Sequence, residues 1–330
     1  MDFRHQRSIM PQQDAPTGLH EPMRRPPGRV ADSAHRAVFR PWAAALAPVI
    51  ALALAAGCGR SSTSPTQPGP AGGPVYYTAI GASDAIGFGG SAPCVPFTAC
   101  PDGTGYVQVI ARRLGASGTS VTLMNLGIPA AVIGPDIQAI GIQHGRDIPA
   151  NFIDQEMPFV PKNSTFVTIF AGGNDTNAIA SAVNDGAAGS DPDAYMDRQI
   201  RAFGDDYATL VAGIRARAGS TRIVVANLPN FAGVPFTASF SLDEKRIMQK
   251  ISVGFSTQVI NSLSGQGIPV VDLLCDGRMY QPGVYSSDGF HPNDTGYLYL
   301  AEEMLEAINS PGTYPAPRSS CPQMTIVAPR

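Results

Sequence analysis

An α/β protein with one parallel sheet is the fold that the sequence predicts, on three observations. Short β-branched and apolar runs recur at residues 75–80, 120–125, 165–170, 222–226 and 269–273. Those runs are nearly continuous in apolar residues, as strands buried on both faces are. Between them lie longer segments with helical patterning, and a repeating strand–helix order places helices on both faces of one sheet. In such a sheet, functional side chains gather at the carboxyl ends of the strands.

The chain opens with a leader. Residues 1–41 are polar and Arg-rich, and a 16-residue apolar run follows at 42–57. That run is shorter than the roughly 18–20 residues a membrane-spanning helix needs. A basic stretch, a short apolar stretch and small residues are the parts of an export signal. The run ends in Ala55-Ala56-Gly57-Cys58, which resembles a bacterial lipobox. The resemblance implies that residues 1–57 are removed and that Cys58 is acylated as a membrane anchor. Leu54 stands four residues before the Cys rather than three, and an ordinary signal peptide or an uncleaved anchor is the simpler alternative. Residues 58–74 are rich in Ser, Thr, Pro and Gly and read as a flexible tether with nothing to bury.

Charge supports the same division. The first 57 residues carry a net +3 and the remainder a net −6. The mature part has no basic patch, so nucleic acid is not an expected partner. About 270 residues remain for folding, enough for one large domain. The reading is a catalytic domain over 75–310, a C-terminal tail over 311–330, and a monomer.

The helices are expected as follows. Residues 105–114 follow Pro101-Asp102-Gly103, and 131–143 carry Pro135. Residues 193–218 follow an acidic start, and 292–308 open on Asn293-Asp294. Residues 241–263 open on Ser241-Leu242-Asp243-Glu244, a capping-box pattern. Residues 178–192 are expected to overhang the site. The segment 231–240 contains three Phe, a possible acyl contact, although core packing explains any one of them.

Five cysteines occur, Cys58, Cys94, Cys100, Cys275 and Cys321. With Cys58 acylated, four remain, an even number in an exported chain. Three pairings are open. The simplest closes the short loop Cys94–Cys100 and leaves Cys275 to hold the tail through Cys321. No paired CxxC or HxxxH spacing supports a metal, so neither metal nor other cofactor is expected.

Four segments at strand ends carry chemistry. Gly81-Ala82-Ser83-Asp84 follows the first strand, where two small residues let the chain turn sharply and expose the Ser83 hydroxyl. That hydroxyl needs a base to be nucleophilic. His291 supplies one in Asp288-Gly289-Phe290-His291-Pro292, where a three-residue spacing aims the Asp288 carboxylate at one imidazole nitrogen. Gly127, after the second strand, and Asn174, after Gly172-Gly173, supply a backbone and a side-chain amide for an oxyanion. Taken singly, each residue also fits a plain turn, cap or strand end. Their joint occurrence at successive strand ends favours chemistry.

These four segments resemble the blocks of the SGNH/GDSL hydrolases, which supply Ser, Gly, Asn and His in this order. The resemblance spans roughly residues 75–310. It implies a flavodoxin-like, three-layer α/β/α sandwich with a five-stranded parallel sheet, and metal-free hydrolysis of carboxylic esters. Ser83 would attack, with Asp288 and His291 completing the triad. The Ser83 and Gly127 amides and the Asn174 side chain would form the oxyanion hole. The family usually places Asp before the serine; here Ala82 stands there, which leaves open how the nucleophile turn is braced. The implied substrate is a short-to-medium acyl ester or a lipid ester, with acetylated carbohydrate as an alternative. An α/β-hydrolase is disfavoured, because Ala85 replaces the final Gly of Gly-x-Ser-x-Gly. A lipid-anchored binding protein without catalysis is the rival of another class.

Overall fold

The computed structural model describes residues 73–310, 312 and 314–329. The leader and Cys58 lie outside the described residues, as does all but the end of the tether. Among the described residues no helix is long and apolar enough to cross a membrane.

Five parallel strands form the sheet. They are β1 (Val75–Gly81), β2 (Val121–Asn125), β3 (Phe166–Phe170), β4 (Arg222–Ala226) and β5 (Val270–Val271), in the order β2-β1-β3-β4-β5. The central strands β3 and β4 are buried along almost their whole length. Their apolar runs exist because helices cover both faces. The edge strand β2 alternates instead between half-buried and exposed residues. The last strand is shorter than its apolar run suggests, because only Val270 and Val271 find partners on β4.

Helices α1 (Tyr106–Gly115) and α6 (Asp294–Asn309) cover one face. There Tyr77, Tyr106, Ile110, Tyr297, Leu300 and Met304 form one buried cluster. On the other face lie α2 (Pro135–Gln143), α3 (Gly173–Asn184), α4 (Pro192–Ala218) and α5 (Leu242–Gly254). The core of that layer includes Phe203 stacked on Phe255, ring centroids 3.8 Å apart. Fully burying such a side chain contributes about 1.5–3 kcal/mol.

Local signals set most helix ends. Ser241 and Glu244 form the reciprocal capping box that begins α5. Asp191 caps α4, with Pro192 in its first turn. Beyond Gly254 the helix does not run on unchanged to 263. It widens into a π turn over Phe255–Val259 and then tightens over Ile260–Gln266.

One expectation is corrected. Residues 178–184 do not overhang the site; they are the second half of α3, where Ala178, Ile179, Ala180 and Ala182 are buried. One glycine and three asparagines make α3 a poor helix by propensity. Burial between α2 and α5 overrides that preference.

Both disulfides pair as the simplest reading has them, Cys94–Cys100 and Cys275–Cys321. The second holds residues that are more than a loose tail. Gln249 Oε1 on α5 accepts the Ile326 and Val327 amides at 2.8 and 3.0 Å. The Gln249 side-chain amide donates back to Val327 O at 2.8 Å. The last residues therefore lie along α5.

Candidate active site

Ser83 sits two residues beyond the end of β1, in a turn closed by bonds from the Ala85 amide to Ala82 O and from the Phe88 amide to Ser83 O. The side chain is almost fully buried, and its Oγ lies 2.8 Å from His291 Nε2. His291 Nδ1 in turn lies 2.6 Å from Asp288 Oδ2. An unbroken hydrogen-bonded chain thus runs from hydroxyl to imidazole to carboxylate. With Nδ1 donating to Asp288, Nε2 is the nitrogen left to accept the serine proton.

The Asp–His turn is built for this. Tyr285 pairs with Pro292, and the Ser286 amide donates to His291 O, so residues 285–292 form a tight return. Gly289 adopts φ +69°, and a Cβ there would lie 2.6 Å from Phe236 N. The close approach is used: the Phe236 amide donates to Gly289 O at 2.9 Å. Phe231 and Phe236 also meet the Phe290 ring edge-to-face. The three-Phe segment therefore braces the Asp–His turn as well as packing against the core.

Asp288 is ionised. Desolvation raises its pKa, but hydrogen bonds from the His291 ring, the His291 and Phe290 amides and the Ser286 hydroxyl outweigh it and hold the pKa at about 2. Its neighbour across the site behaves differently. Asp84 is pushed above the usual carboxylate value, chiefly by burial, although the His291 charge opposes the shift.

Gly127 packs directly on the nucleophile turn. A Cβ there would come within 2.7 Å of the Ala85 methyl and 3.0 Å of Ala82 O, so only glycine fits. The Gly127 amide donates to Asn125 Oδ1 at 3.1 Å, and Asn125 Nδ2 donates to Ala85 O at 2.7 Å. An oxyanion would therefore compete with Asn125 for this amide. Asn174 lies in the first turn of α3 and donates one side-chain hydrogen to Ala131 O at 3.0 Å. That bond orients the amide, and the second hydrogen remains for a ligand.

Sequence reasoning missed three residues around these groups. Asn125 ties Gly127 to the nucleophile turn. Asp175, whose pKa burial raises to about 7, accepts the Ile133 amide at 2.8 Å and anchors the far end of the loop that carries Gly127. Glu156 accepts the Gly81 amide. The only signal for Glu156 in the sequence is an acid within the mainly apolar stretch 152–160.

The residues on either side of Ser83, Ala82 and Asp84, line a pocket of about 30 Å³. Its walls include Ala82, Asp84, Asn174, Leu228, Phe231 and Phe290. Among the described residues, no group of three or more His, Cys, Asp or Glu side chains is arranged to hold a metal ion.

This arrangement coincides with a family match over residues 79–298, to the GDSL-like Lipase/Acylhydrolase family. The chain belongs to that family. Its general chemistry is ester hydrolysis. Among solved structures, the chain is similar to the lipase Lip_vut3 from a goat rumen metagenome, with 20% identity and a TM-score of 0.50 over 72% of this chain and 98% of that one. It is also similar to an extracellular lipase from Streptomyces rimosus, with 18% identity and a TM-score of 0.46 over 73% of this chain and 97% of that one. The acetylxylan esterase Axe2 from Geobacillus stearothermophilus matches with 18% identity and a TM-score of 0.46, over 76% of this chain and 99% of that one. No curated protein matches by sequence.

Two predictions follow from the geometry of this GDSL-like site. If the Asn174 side chain donates to an oxyanion, Asn174→Ala lowers kcat by about 10²–10³ with little change in KM. Steady-state kinetics on the purified variant check this, and a change confined to KM would rule the role out. The second concerns pH. A carboxyl held at about 2 in the folded state, below its unfolded value, contributes stability above the unfolded value and loses it only as pH falls through about 2. Asp288 is then charged at every working pH, so its own ionisation adds no step to kcat/KM above pH 4. Asp288→Asn lowers the whole profile steeply, because the imidazole loses its charge partner and its tautomer. An Asp288→Asn variant with kcat/KM equal to wild type between pH 4 and 8 would contradict this assignment.

Proposed function

We propose that this chain is an exported serine hydrolase that cleaves short-acyl carboxylic esters through an acyl-enzyme. The observation that carries the reading is the hydrogen-bonded chain Ser83–His291–Asp288, with links of 2.8 and 2.6 Å.

In this reading Ser83 Oγ attacks the ester carbonyl carbon while its proton passes to His291 Nε2. Asp288 stabilises the imidazolium without taking the proton. The carbonyl oxygen becomes an oxyanion, which the Ser83 and Gly127 amides and the Asn174 side chain receive. Collapse of the tetrahedral intermediate breaks the bond to the alcohol oxygen, which leaves with the Nε2 proton. Water then attacks the acyl-enzyme, gives a proton to His291 and releases the carboxylic acid. The Ser83 hydroxyl reforms.

Pocket size supports a short acyl group. By a measure in which one water needs roughly 10–15 Å³, a pocket of about 30 Å³ admits two or three non-hydrogen groups. An acetyl or propionyl group is about that size, and Ala82 and Asp84, on either side of Ser83, line the space. The same smallness keeps acetylated carbohydrate as a second reading, since the alcohol half would lie outside the pocket.

A graded ester panel tests the proposal. Acetyl and propionyl esters should show the highest kcat/KM, with a fall of tenfold or more by octanoyl, and acetylated sugars belong in the same assay. Ser83→Ala should abolish turnover, since loss of such a nucleophile costs on the order of 10⁶ in kcat. Folded Ser83→Ala retaining a tenth of wild-type activity defeats the assignment. Absence of fluorophosphonate labelling at Ser83 in wild type favours a lipid-anchored binding protein.

Export and the membrane tether belong to the same proposal and rest on the sequence around Cys58. Acylated Cys58 should be the first residue of the mature chain, and Cys58→Ser should release the protein from membranes. Mass spectrometry of the mature N-terminus decides; an unmodified start downstream of Cys58 rejects the anchor.

A further inference from the structure

Glu156 is fully buried, with no exposed surface. It ends a π turn over Phe152–Glu156, which Asn151 caps by accepting the Asp154 amide. Its Oε2 accepts the Gly81 amide at 3.0 Å, and its Oε1 has no hydrogen-bond partner. The carboxyl also faces the Ile128 amide, which itself donates to Gly81 O at 3.2 Å. Burial pushes the Glu156 carboxyl well above the usual carboxylate range. A buried acid with half of its polar capacity unused is a costly way to satisfy one backbone amide.

Its place explains the cost. Gly81 lies two residues before Ser83, and Ile128 directly follows Gly127. Two of the three oxyanion donors therefore come from the two backbone segments that meet at this carboxyl. Ala82 has no polar group to brace the nucleophile turn. The segment bearing Glu156 is itself bonded to the Gly127 loop further along: the Phe152 amide donates to Val132 O at 2.8 Å and the Ile153 amide to Ile133 O at 3.3 Å. Within the same loop, Ala130 holds φ +62°, a left-handed conformation that a non-glycine residue adopts only under constraint.

We propose that Glu156 is a positioning residue, whose buried carboxyl clamps the Ser83 turn to the Gly127 loop and so fixes the spacing of the oxyanion donors. The inference rests on the reading of Ser83 as the nucleophile. It makes Glu156 a backbone acceptor whose function depends on where its oxygen sits. Displacements of about 1 Å in a catalytic constellation can cost on the order of 10²-fold in rate.

Three substitutions separate this role from packing alone, assayed on the purified full-length protein with an acetyl ester. Glu156→Met keeps the volume and removes the acceptor; kcat should fall 10- to 100-fold with KM within threefold of wild type. Glu156→Asp keeps the group but withdraws it by one methylene, and should show the same split even if the Met variant does not fold. Glu156→Gln restores a neutral acceptor at the original length and should retain at least a third of wild-type kcat. A folded Met or Asp variant with kcat within twofold of wild type overturns the proposal. So does a Gln variant as slow as the Asp variant. Failure of the nucleophile reading would look different: Ser83→Ala would then keep its activity.

Discussion

The hydrogen bond between Ser83 and His291 joins residues 208 positions apart in the chain, and much of the structure serves to hold it. Neither side chain is reactive alone: a serine hydroxyl needs a base within hydrogen-bond reach. Ser83 hangs from the end of β1, near the middle of the sheet. His291 hangs from a return that precedes α6. Helix α6 packs on the same face of the sheet as α1, and Asn293 caps it through the Thr295 and Gly296 amides. Asn293 also donates to Gly283 O and Tyr285 O. The residue that starts the helix thereby anchors the turn carrying the base.

A second constraint concerns where charge is allowed. Near the site, one carboxylate is held low as an anion, while burial raises the pKa of three other acids, Asp84, Glu156 and Asp175. Asp288 receives four hydrogen bonds and is partly open to solvent, so it stays ionised and supports an imidazolium. Glu156 and Asp175 are buried against the backbone segments that carry Ser83 and the loop of Gly127, and burial raises the pKa of both. The division follows from solvation and hydrogen bonding rather than from residue type.

The loop after β2 shows how these constraints combine. Gly127 must be glycine because Ala82 and Ala85 press against it. Asn125, Glu156, Asn174 and Asp175 then contact that loop or the nucleophile turn beside it from three different directions. The strained Ala130 lies within this scaffold. Rigid support of this kind is what preorganised donors require, since they gain rate only if they need not move.

The sequence by itself determined the sheet, most of its helices and the four segments that carry chemistry. Buried parallel strands must be continuously apolar, and caps such as Ser241 with Glu244 act within one turn, so both leave local traces. The Asp288–His291 pair is equally local, three residues apart. Tertiary structure alone decided the rest. Helix α3 forms against its own propensity because α2 and α5 bury it. Phe231 and Phe236 brace the Asp–His turn because Gly289 leaves room for the Phe236 backbone. Glu156 and Asn125 reach the site across strand boundaries, through hydrogen bonds that no spacing in the sequence encodes. A motif records which groups are present; their distances depend on residues far along the chain that only packing brings together.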